Sequence, residues 1–277
     1  MNKKYEEIYK DGNYFSFGKN WQQFLKTLNE EKIEEAKKSL IKFLGGKDKI
    51  QGKTFVDIGC GSGLFSLVAY KLGAKEIVSV DIDDFSIACV EYLKNKEKNP
   101  NNWQIKKGSA LDKKFIQSLG QFDVVYSWGV LHHTGNMYQA FDNVVKLMHD
   151  ESVFYLAIYN KYLCKFKGGT SYTWLKIKKI YNQVNSFIKK IIEYLYLIYL
   201  IGMLLIRFKN PVQYIQNYKT FRGMSWYYDV KDWLGGYPYE FASVSEVINY
   251  FGQKNILCKK INPKDGIGCN EFLLEKK

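Results

Sequence analysis

Two adjacent histidines are the clearest candidates for catalysis in this sequence. His132 and His133 lie in the segment WGVLHHTG, and the third histidine of the chain, His149, is expected at the surface. An imidazole with an ordinary pKa near about 6.5 can take a proton from a hydroxyl group at neutral pH. We therefore predict that His133 is a general base. His132 is the second candidate, with a packing role as the alternative, because two neighbouring side chains in an extended loop do not easily face one site.

A glycine-rich loop with flanking acids predicts a nucleotide site. The β-prone run TFVDI contains Asp57 and is followed by the loop GCGSG and an apolar helix. Glycines let backbone N–H groups approach a ligand closely at a helix N-terminus. Asp81 ends the next predicted strand, where its carboxylate can accept both hydroxyls of a ribose. An adenosine-type ligand is indicated, and the lack of the GxGxxG pattern disfavours NAD.

A third cluster of reactive residue types lies in RGMSWYYDVKDWLGGYPYE (222–240). Its arginine could bind a phosphate or carboxylate, its aromatic rings could stack on a ring of the substrate, and its acids could accept hydroxyl protons. The alternative is a lid held together by its own aromatic side chains. The candidates for substrate binding are Arg222, Trp226, Tyr228, Asp229, Asp232 and Glu240.

Alternating strands and helices must position these residues. The predicted strands are 54–58, 76–81, 103–107, 122–128 and 152–160. They alternate with helices, which are expected over 64–73, 84–98 and 136–148. This order predicts an α/β fold with a doubly wound, mostly parallel sheet. A helix at 243–251 and strands at 255–262 and 269–277 would complete seven strands with an antiparallel closing hairpin. The expected units are a cap (1–50), a core (51–160), a helical insertion (161–241) and the C-terminal helix and hairpin (242–277).

The segments VDIGCGSG, VSVDID, GSALD and FDVVYSWGVLHHTGN resemble the successive motifs of class I S-adenosylmethionine-dependent methyltransferases. The loop at 222–240 resembles that of one subgroup that shares the LHHTG segment. The resemblance implies a Rossmann-like core over about residues 54–160, S-adenosylmethionine as cofactor, and methyl transfer; a Rossmann protein with another nucleotide is the alternative. By position it implies that the cofactor is bound by Asp57, Gly59, Cys60, Gly61, Gly63, Asp81, Ile82, Ala110, Leu111, Ser127 and Trp128, with Asp112 also near the adenine.

The basic charge of the chain is concentrated in one segment. From Lys161 to Lys219 the sequence holds eleven Lys and Arg residues against the single acid Glu193, a local balance of +10 out of a net +13. The same segment contains YLYLIYLIGMLLI (194–206), which is shorter than the roughly 20 apolar residues that span a bilayer. We expect a lid over the active site or a homodimer interface, with peripheral contact to an anionic membrane as the alternative.

Other features narrow the class of protein. Five scattered cysteines predict reduced thiols and no metal site, and the polar start predicts a cytoplasmic, or else membrane-peripheral, protein. A nucleic acid partner is not expected, because the fourth strand does not end in NPPY or DPPY, the motifs that would resemble those of base N-methylases. We expect O-methylation of a small polar acceptor, a sugar or a phosphorylated metabolite. The alternatives are a quinone or lipid methyltransferase, an RNA methyltransferase and a non-catalytic nucleotide-binding module.

Overall fold

Seven strands form one mixed sheet at the centre of the protein. The computed structural model describes residues 17–164, 170–222 and 226–277, without the side chains of residues 19, 219–222 and 228. The strands are β1 (Thr54–Ile58), β2 (Glu76–Asp81), β3 (Trp103–Lys107), β4 (Phe122–Trp128), β5 (Met148–Tyr159), β6 (Ile256–Asn262) and β7 (Cys269–Lys276). Their order across the sheet is β3-β2-β1-β4-β5-β7-β6. Strands β1 to β5 are parallel and β7 runs antiparallel to both its neighbours, so the predicted fold is confirmed.

Helices cover both faces of this sheet. In chain order they are α1 (Gly18–Leu25), α2 (Glu30–Leu44), α3 (Leu64–Lys71), α4 (Asp84–Lys96), α5 (Lys113–Ser118), α6 (Met137–Val144), α7 (Ser171–Gln183), α8 (Ser186–Ile206), α9 (Pro211–Arg222), α10 (Trp226–Gly235) and α11 (Val244–Gly252). Because both faces are covered, successive residues of a central strand enter opposite cores. In β1, Val56 and Ile58 belong to one core, whereas Phe55 belongs to the other.

The predicted boundary between α6 and β5 was wrong by four residues. We predicted a helix over 136–148 and a strand from 152, but α6 ends at Val144, a single 3-10 turn follows, and β5 begins at Met148. Met148 pairs with Phe122, and the next pair is Val124 with Val153. The register between β4 and β5 therefore shifts between these two pairs. Of the residues predicted to extend the helix, Val145–Leu147 form the 3-10 turn and Met148 begins the strand.

The insertion, residues 161–241, contains the four helices α7 to α10. Helices α7 and α8 are separate because Asn185 lies between them and caps α8 by accepting from the N–H groups of Phe187 and Ile188. The stretch expected to be a loop contains α10. Val230 and Leu234, four residues apart, are buried on its inner face. They form a third, smaller core with α7 and α8.

Helix α8, with 21 residues, is the longest described helix of the insertion. Its inner side packs on this third core, and most of its remaining surface is exposed. Within the described ranges, no helix taken singly has the length and apolar content needed to cross a membrane. Only α8 together with Pro211–Tyr218 of α9 passes that test, as a pair bent by 115°.

Candidate active site

The glycine loop between β1 and α3 adopts a backbone that favours glycine. Gly59, Gly61 and Gly63 have φ angles of 75°, 52° and 78°. The amide groups of Gly59 and Cys60 both donate to the Val80 carbonyl, and that of Gly63 donates to Cys60. The N–H groups of Gly59, Cys60, Gly61 and Gly63 are therefore used inside the protein. Within the described residues, the carbonyl oxygens of Gly59 and Gly61 accept no hydrogen bond, so they can serve an ammonium donor such as that of an amino acid moiety.

Asp81 lies beside this loop at the end of β2. One carboxylate oxygen accepts from the Gly61 amide and the other from the Asp83 amide, each at 2.9 Å. Each oxygen keeps a second lone pair, which fits the two hydroxyls of a ribose. Burial raises the pKa of Asp81 to about 6. The loop carbonyls and this acid thus match the amino acid and ribose ends of the predicted cofactor.

Asp57 faces the interior of the protein. Ser66 donates to its carboxylate at 2.7 Å, Ser79 donates to Ser66, and Trp103 donates to Ser79. This chain of hydrogen bonds joins β1, α3, β2 and β3, and burial raises the pKa of Asp57 to about 7. Asp57 therefore holds α3 on the sheet, and its contact with the cofactor stays a prediction.

The remaining cofactor candidates lie where strands end at the same edge of the sheet. Ala110 and Leu111 follow β3 and are buried, and α6 side chains bond their carbonyl groups. Asp112 caps α5, and Ile82 is half-buried after β2. Burial raises the pKa of Cys60. No group of His, Cys, Asp or Glu in the described ranges could hold a metal ion.

Ser127 and Trp128 leave β4 in different environments. The Ser127 hydroxyl is buried and donates to the Ile58 carbonyl at 2.9 Å, which fastens the end of β4 to β1. The Trp128 ring is 45% exposed and its indole N–H donates to Glu271 on β7. A contact of either residue with the transferred methyl group stays a prediction.

The two histidines lie in a 3-10 turn, Leu131–His133, and the expected extended loop was wrong. The turn lets both rings contact Tyr159, at centroid distances of 4.0 Å for His132 and 5.4 Å for His133. His132 is fully buried, accepts from the Tyr159 amide through Nδ1, and has a pKa lowered by burial. Its surroundings support the packing role.

His133 has a defined tautomer. Its Nδ1 lies 2.6 Å from the carbonyl oxygen of Pro238, and a carbonyl can only accept, so Nδ1 carries the proton. The lone pair is therefore on Nε2. Burial lowers the pKa of His133 to about 3, well below the ordinary value we assumed from the sequence. The ring is thus neutral at pH 7 and can accept a proton.

Helix α1 connects the cofactor loop with the histidine turn. The Trp21 indole covers Gly61 so closely that a Cβ atom there would come within 2.9 Å of Nε1. Phe17, just before the helix, lies 5.0 Å from the His133 ring, and Asn20 donates to Asp232 of the insertion. The sequence showed an aromatic cluster here but gave no sign of these partners.

Asp232 and Lys178 bring charge from the insertion to the same region. Burial raises the pKa of Asp232 to about 7 and lowers that of Lys178 to about 7. Lys178 donates to the Trp233 carbonyl and lies 4.0 Å and 4.9 Å from the ring centroids of Trp233 and Tyr239. The sequence does not single out Lys178, because nothing in the local pattern distinguishes this buried lysine from the exposed lysines around it.

The other substrate candidates are held by the protein itself. Glu240 accepts from the Met137 amide at 3.0 Å at the start of α6, and Asp229 accepts from Tyr218. Trp226 packs on the third core. The side chains of Arg222 and Tyr228 lie outside the described residues. Asp232 bonds Asn20 of α1, and the backbone amide of Glu240 donates to the carbonyl oxygen of His132 in the histidine turn at 2.9 Å.

Comparison with known proteins identifies the family. The profile of a family described as a methyltransferase domain matches residues 29–255, more than half of the chain. The ribosomal protein L11 methyltransferase of Colwellia psychrerythraea is 49% identical over 57 residues, 21% of this chain and 18% of that protein. Its counterpart in Thermotoga petrophila is 35% identical over 77 residues, 28% of this chain and 27% of that protein. The chain thus matches less than a third of the length of these relatives.

Solved structures share the whole fold. Magnesium protoporphyrin IX methyltransferase from Synechocystis PCC 6803 aligns with a TM-score of 0.55 and 13% identity over 94% of this chain and 95% of that one. PKMT2 from Rickettsia typhi aligns with a TM-score of 0.57 and 14% identity over 87% of this chain and 52% of that one. At such identities the likeness shows the fold. Together with the family profile, it shows that the chain belongs to the methyltransferase-domain family and has the fold of S-adenosylmethionine-dependent class I methyltransferases.

Proposed function

We propose that the enzyme methylates an oxygen atom of a small polar acceptor, a sugar or a phosphorylated metabolite. The observation that carries the proposal is the tautomer of His133, whose Nδ1 proton is fixed on the Pro238 carbonyl. Its Nε2 is then a neutral acceptor directly after β4, where open α/β sheets hold their chemistry. Such a base is needed for a hydroxyl acceptor, which must lose its proton, more than for an amine.

The chemistry is a direct displacement. Held by the glycine loop and Asp81, the cofactor would supply an electrophilic methyl group on a positively charged sulfur. His133 Nε2 would accept the proton of the acceptor hydroxyl. Burial lowers the basicity of this nitrogen, so its contribution would come from its fixed position beside the acceptor in a site that excludes water.

Polar groups where α1 meets the insertion suit an acceptor with several hydroxyls. Asp232 and Asn20 are paired there, three residues along the chain from Phe17, whose ring contacts His133, and the carboxylate of Asp232 retains lone pairs beyond the one that Asn20 uses. Because these groups are partly buried, an acceptor hydroxyl that hydrogen-bonds to them is favoured, and one that binds there without a hydrogen bond is disfavoured. Magnesium protoporphyrin IX and ribosomal protein L11 appear in the names of proteins of similar fold or sequence, so the fold admits several acceptor classes and the proposal rests on these side chains.

The acceptor class can be tested directly. Purified enzyme is incubated with S-adenosylmethionine labelled in its methyl group and with separate panels of free sugars, sugar phosphates, quinols, ribosomal protein and RNA. We expect label in a sugar or sugar phosphate, and a carbon chemical shift of the new methyl group that is typical of a methyl ether. Label on nitrogen or carbon, or only in the quinol, protein or RNA panels, would contradict the proposal. His133→Gln serves as the matched control, because it keeps the side-chain volume but provides no base.

A further inference from the structure

Helix α8 carries a fixed apolar surface that no described part of the chain covers. Six side chains, here named the outer face of α8, are each between 57% and 73% exposed. They are Phe187, Tyr194, Leu195, Ile198, Leu205 and Ile206. Phe187, Tyr194, Ile198 and Leu205 follow one another by seven, four and seven residues, which places them along one side of the helix, and Leu195 and Ile206 adjoin them there. An apolar stripe of this length on a surface marks an interaction site.

The inner side of α8 prevents the helix from rotating to hide this face. Glu193, the one fully buried residue of α8, accepts from the hydroxyl groups of Tyr181 at 2.6 Å and Tyr227 at 2.7 Å. Tyr196 packs edge to face against Trp174 at 5.2 Å. Rotation would break these hydrogen bonds and leave a carboxylate buried without partners. The outer face is therefore a feature of the folded protein.

The charge around the outer face has one sign. Between residues 170 and 222 the sequence contains nine Lys and Arg residues, and its one acid is the buried Glu193. Five of these cations are exposed, and they lie on α7 and at both ends of α8: Lys176, Lys179, Lys190, Arg207 and Lys209. An apolar stripe with basic flanks and exposed tyrosines is complementary to the acyl and headgroup layers of an anionic bilayer.

A second copy of the chain fits this surface less well. A symmetric dimer would bring the same patch of both copies together. The cations at the ends of α8 would then meet cations, with no exposed acid on this segment to pair with them. Charge complementarity thus favours lipid over self-association, although the sequence alone favoured a lid or a dimer interface.

We propose that the outer face of α8 and the start of α9 bind the surface of an anionic phospholipid membrane. The two helices meet at an angle of 115°, with Phe208 at the bend 99% exposed and Val212 63% exposed. This geometry lets α8 lie in the plane of the membrane while the bend reaches into the headgroup layer. The proposal goes beyond the proposed function, because either can hold without the other.

Flotation with vesicles tests the membrane proposal. Full-length protein is mixed with vesicles of phosphatidylcholine alone or of phosphatidylcholine with phosphatidylglycerol. We expect retention on the anionic vesicles only, weakening as salt is raised, because exposed charges are screened. Lys190→Glu/Arg207→Glu should lower the partition coefficient at least tenfold, since each surface cation contributes about fivefold. Leu195→Asn/Ile198→Asn should lower it at least tenfold, because each side chain contributes roughly tenfold or more when buried.

Matched variants on the core domain serve as controls. Tyr92 on α4 is an exposed aromatic residue, and Lys106 on β3 is an exposed lysine. Tyr92→Asn and Lys106→Glu should leave retention unchanged. Equal retention on neutral vesicles, or no retention on either kind, would overturn the proposal. Self-association would also overturn it. In that case the wild type would not bind the vesicles and would be a dimer in sedimentation velocity, and Leu195→Asn/Ile198→Asn would convert the dimer to a monomer. Methyl transfer to a soluble acceptor should proceed in all four variants, which separates this test from that of the function.

Discussion

At the scale of single residues, burial decides what each candidate can do. The sequence placed His133 after a strand but could not supply the Pro238 carbonyl that fixes its tautomer, because the two residues are 105 positions apart. The same limit applies to Asp57 and Asp81, which looked alike as acids at strand ends. One faces inward on Ser66, and the other faces the glycine loop. Side-chain direction, rather than residue type, separates their roles.

The first prediction at this scale concerns His133. His133→Ala should lower kcat by about 10²–10⁴-fold, because proton removal belongs to the chemical step, while the Kd of the cofactor measured by calorimetry stays nearly constant. With a pKa of about 3, His133 is already neutral at pH 5, so the acid limb that it causes lies below that pH. Asp232, Asp57 and Lys178 all have pKa values of about 7, so Asp232→Asn should remove only the part of an activity titration near pH 7 that belongs to Asp232. An acid limb near pH 6.5 that His133→Gln removes would contradict the low pKa of His133, and full turnover in His133→Ala would contradict its role as a base.

At the scale of elements, the parts with strong periodicity were predictable and the parts set by distant contacts were not. Four of the five predicted parallel strands, 54–58, 76–81, 103–107 and 122–128, coincide with β1 to β4. Strands β1, β2 and β4 are buried on both faces and read as short apolar runs between turns, whereas β3 is an exposed edge strand that the alternation of strands and helices predicted. Helix α10 was not predicted, because its tyrosines and the nearby glycines are typical of a loop. The position of α1 over the glycine loop depends on contacts with residues 40 to 212 positions away, which no local pattern shows.

The contact between α1 and the glycine loop leads to a stability prediction. Gly61→Ala must adopt a left-handed backbone, at about 1–2 kcal/mol, and also presses Cβ against Trp21, which adds roughly 1–3 kcal/mol. Gly120→Ala is the matched control, since Gly120 has a φ of 86° and nothing within 4 Å of a Cβ atom. Urea unfolding should show the larger loss for Gly61→Ala. In a Trp21→Ala background the two alanine variants should cost the same. An unequal cost there would mean that Trp21 is not the obstacle.

At the scale of the whole molecule, buried ionisable groups make the cofactor-free protein sensitive to pH. Burial raises the pKa of Asp57 and Asp232 to about 7 and that of Asp81 to about 6. Each carboxyl therefore binds a proton in the folded state at a pH where the unfolded chain has lost it. Their contribution to stability is full below the unfolded pKa and is lost as the pH rises through the folded value. The buried histidines act in the opposite direction, because their lowered pKa values remove stability as the pH falls below about 6.5.

Asp57→Asn isolates one part of this balance. The variant can still accept the hydrogen bond of Ser66 but has no proton to lose, so its stability relative to the wild type should rise between pH 5 and pH 8 by an amount of the order of 2 kcal/mol. Urea unfolding at the two pH values gives the comparison. Asp48→Asn, at an exposed position, should show no such change. A relative stability of Asp57→Asn that is the same at both pH values would show that Asp57 is ionised throughout.

Strand β7 has a consequence for the time course of folding. It follows β6 in the chain, yet it lies inside the sheet and pairs with β5 from Val153 to Tyr159 on one side and with β6 on the other. During synthesis, β5 and β6 therefore have no partner on these edges until Cys269–Lys276 has left the ribosome. An unpaired strand edge recruits strands of other chains. A nascent chain that pauses, or is cleaved, before residue 269 would hold the cofactor half of the sheet with β5 as an unpaired edge, so β7, which is made after β5 and β6, is the strand that covers this edge and protects it from aggregation.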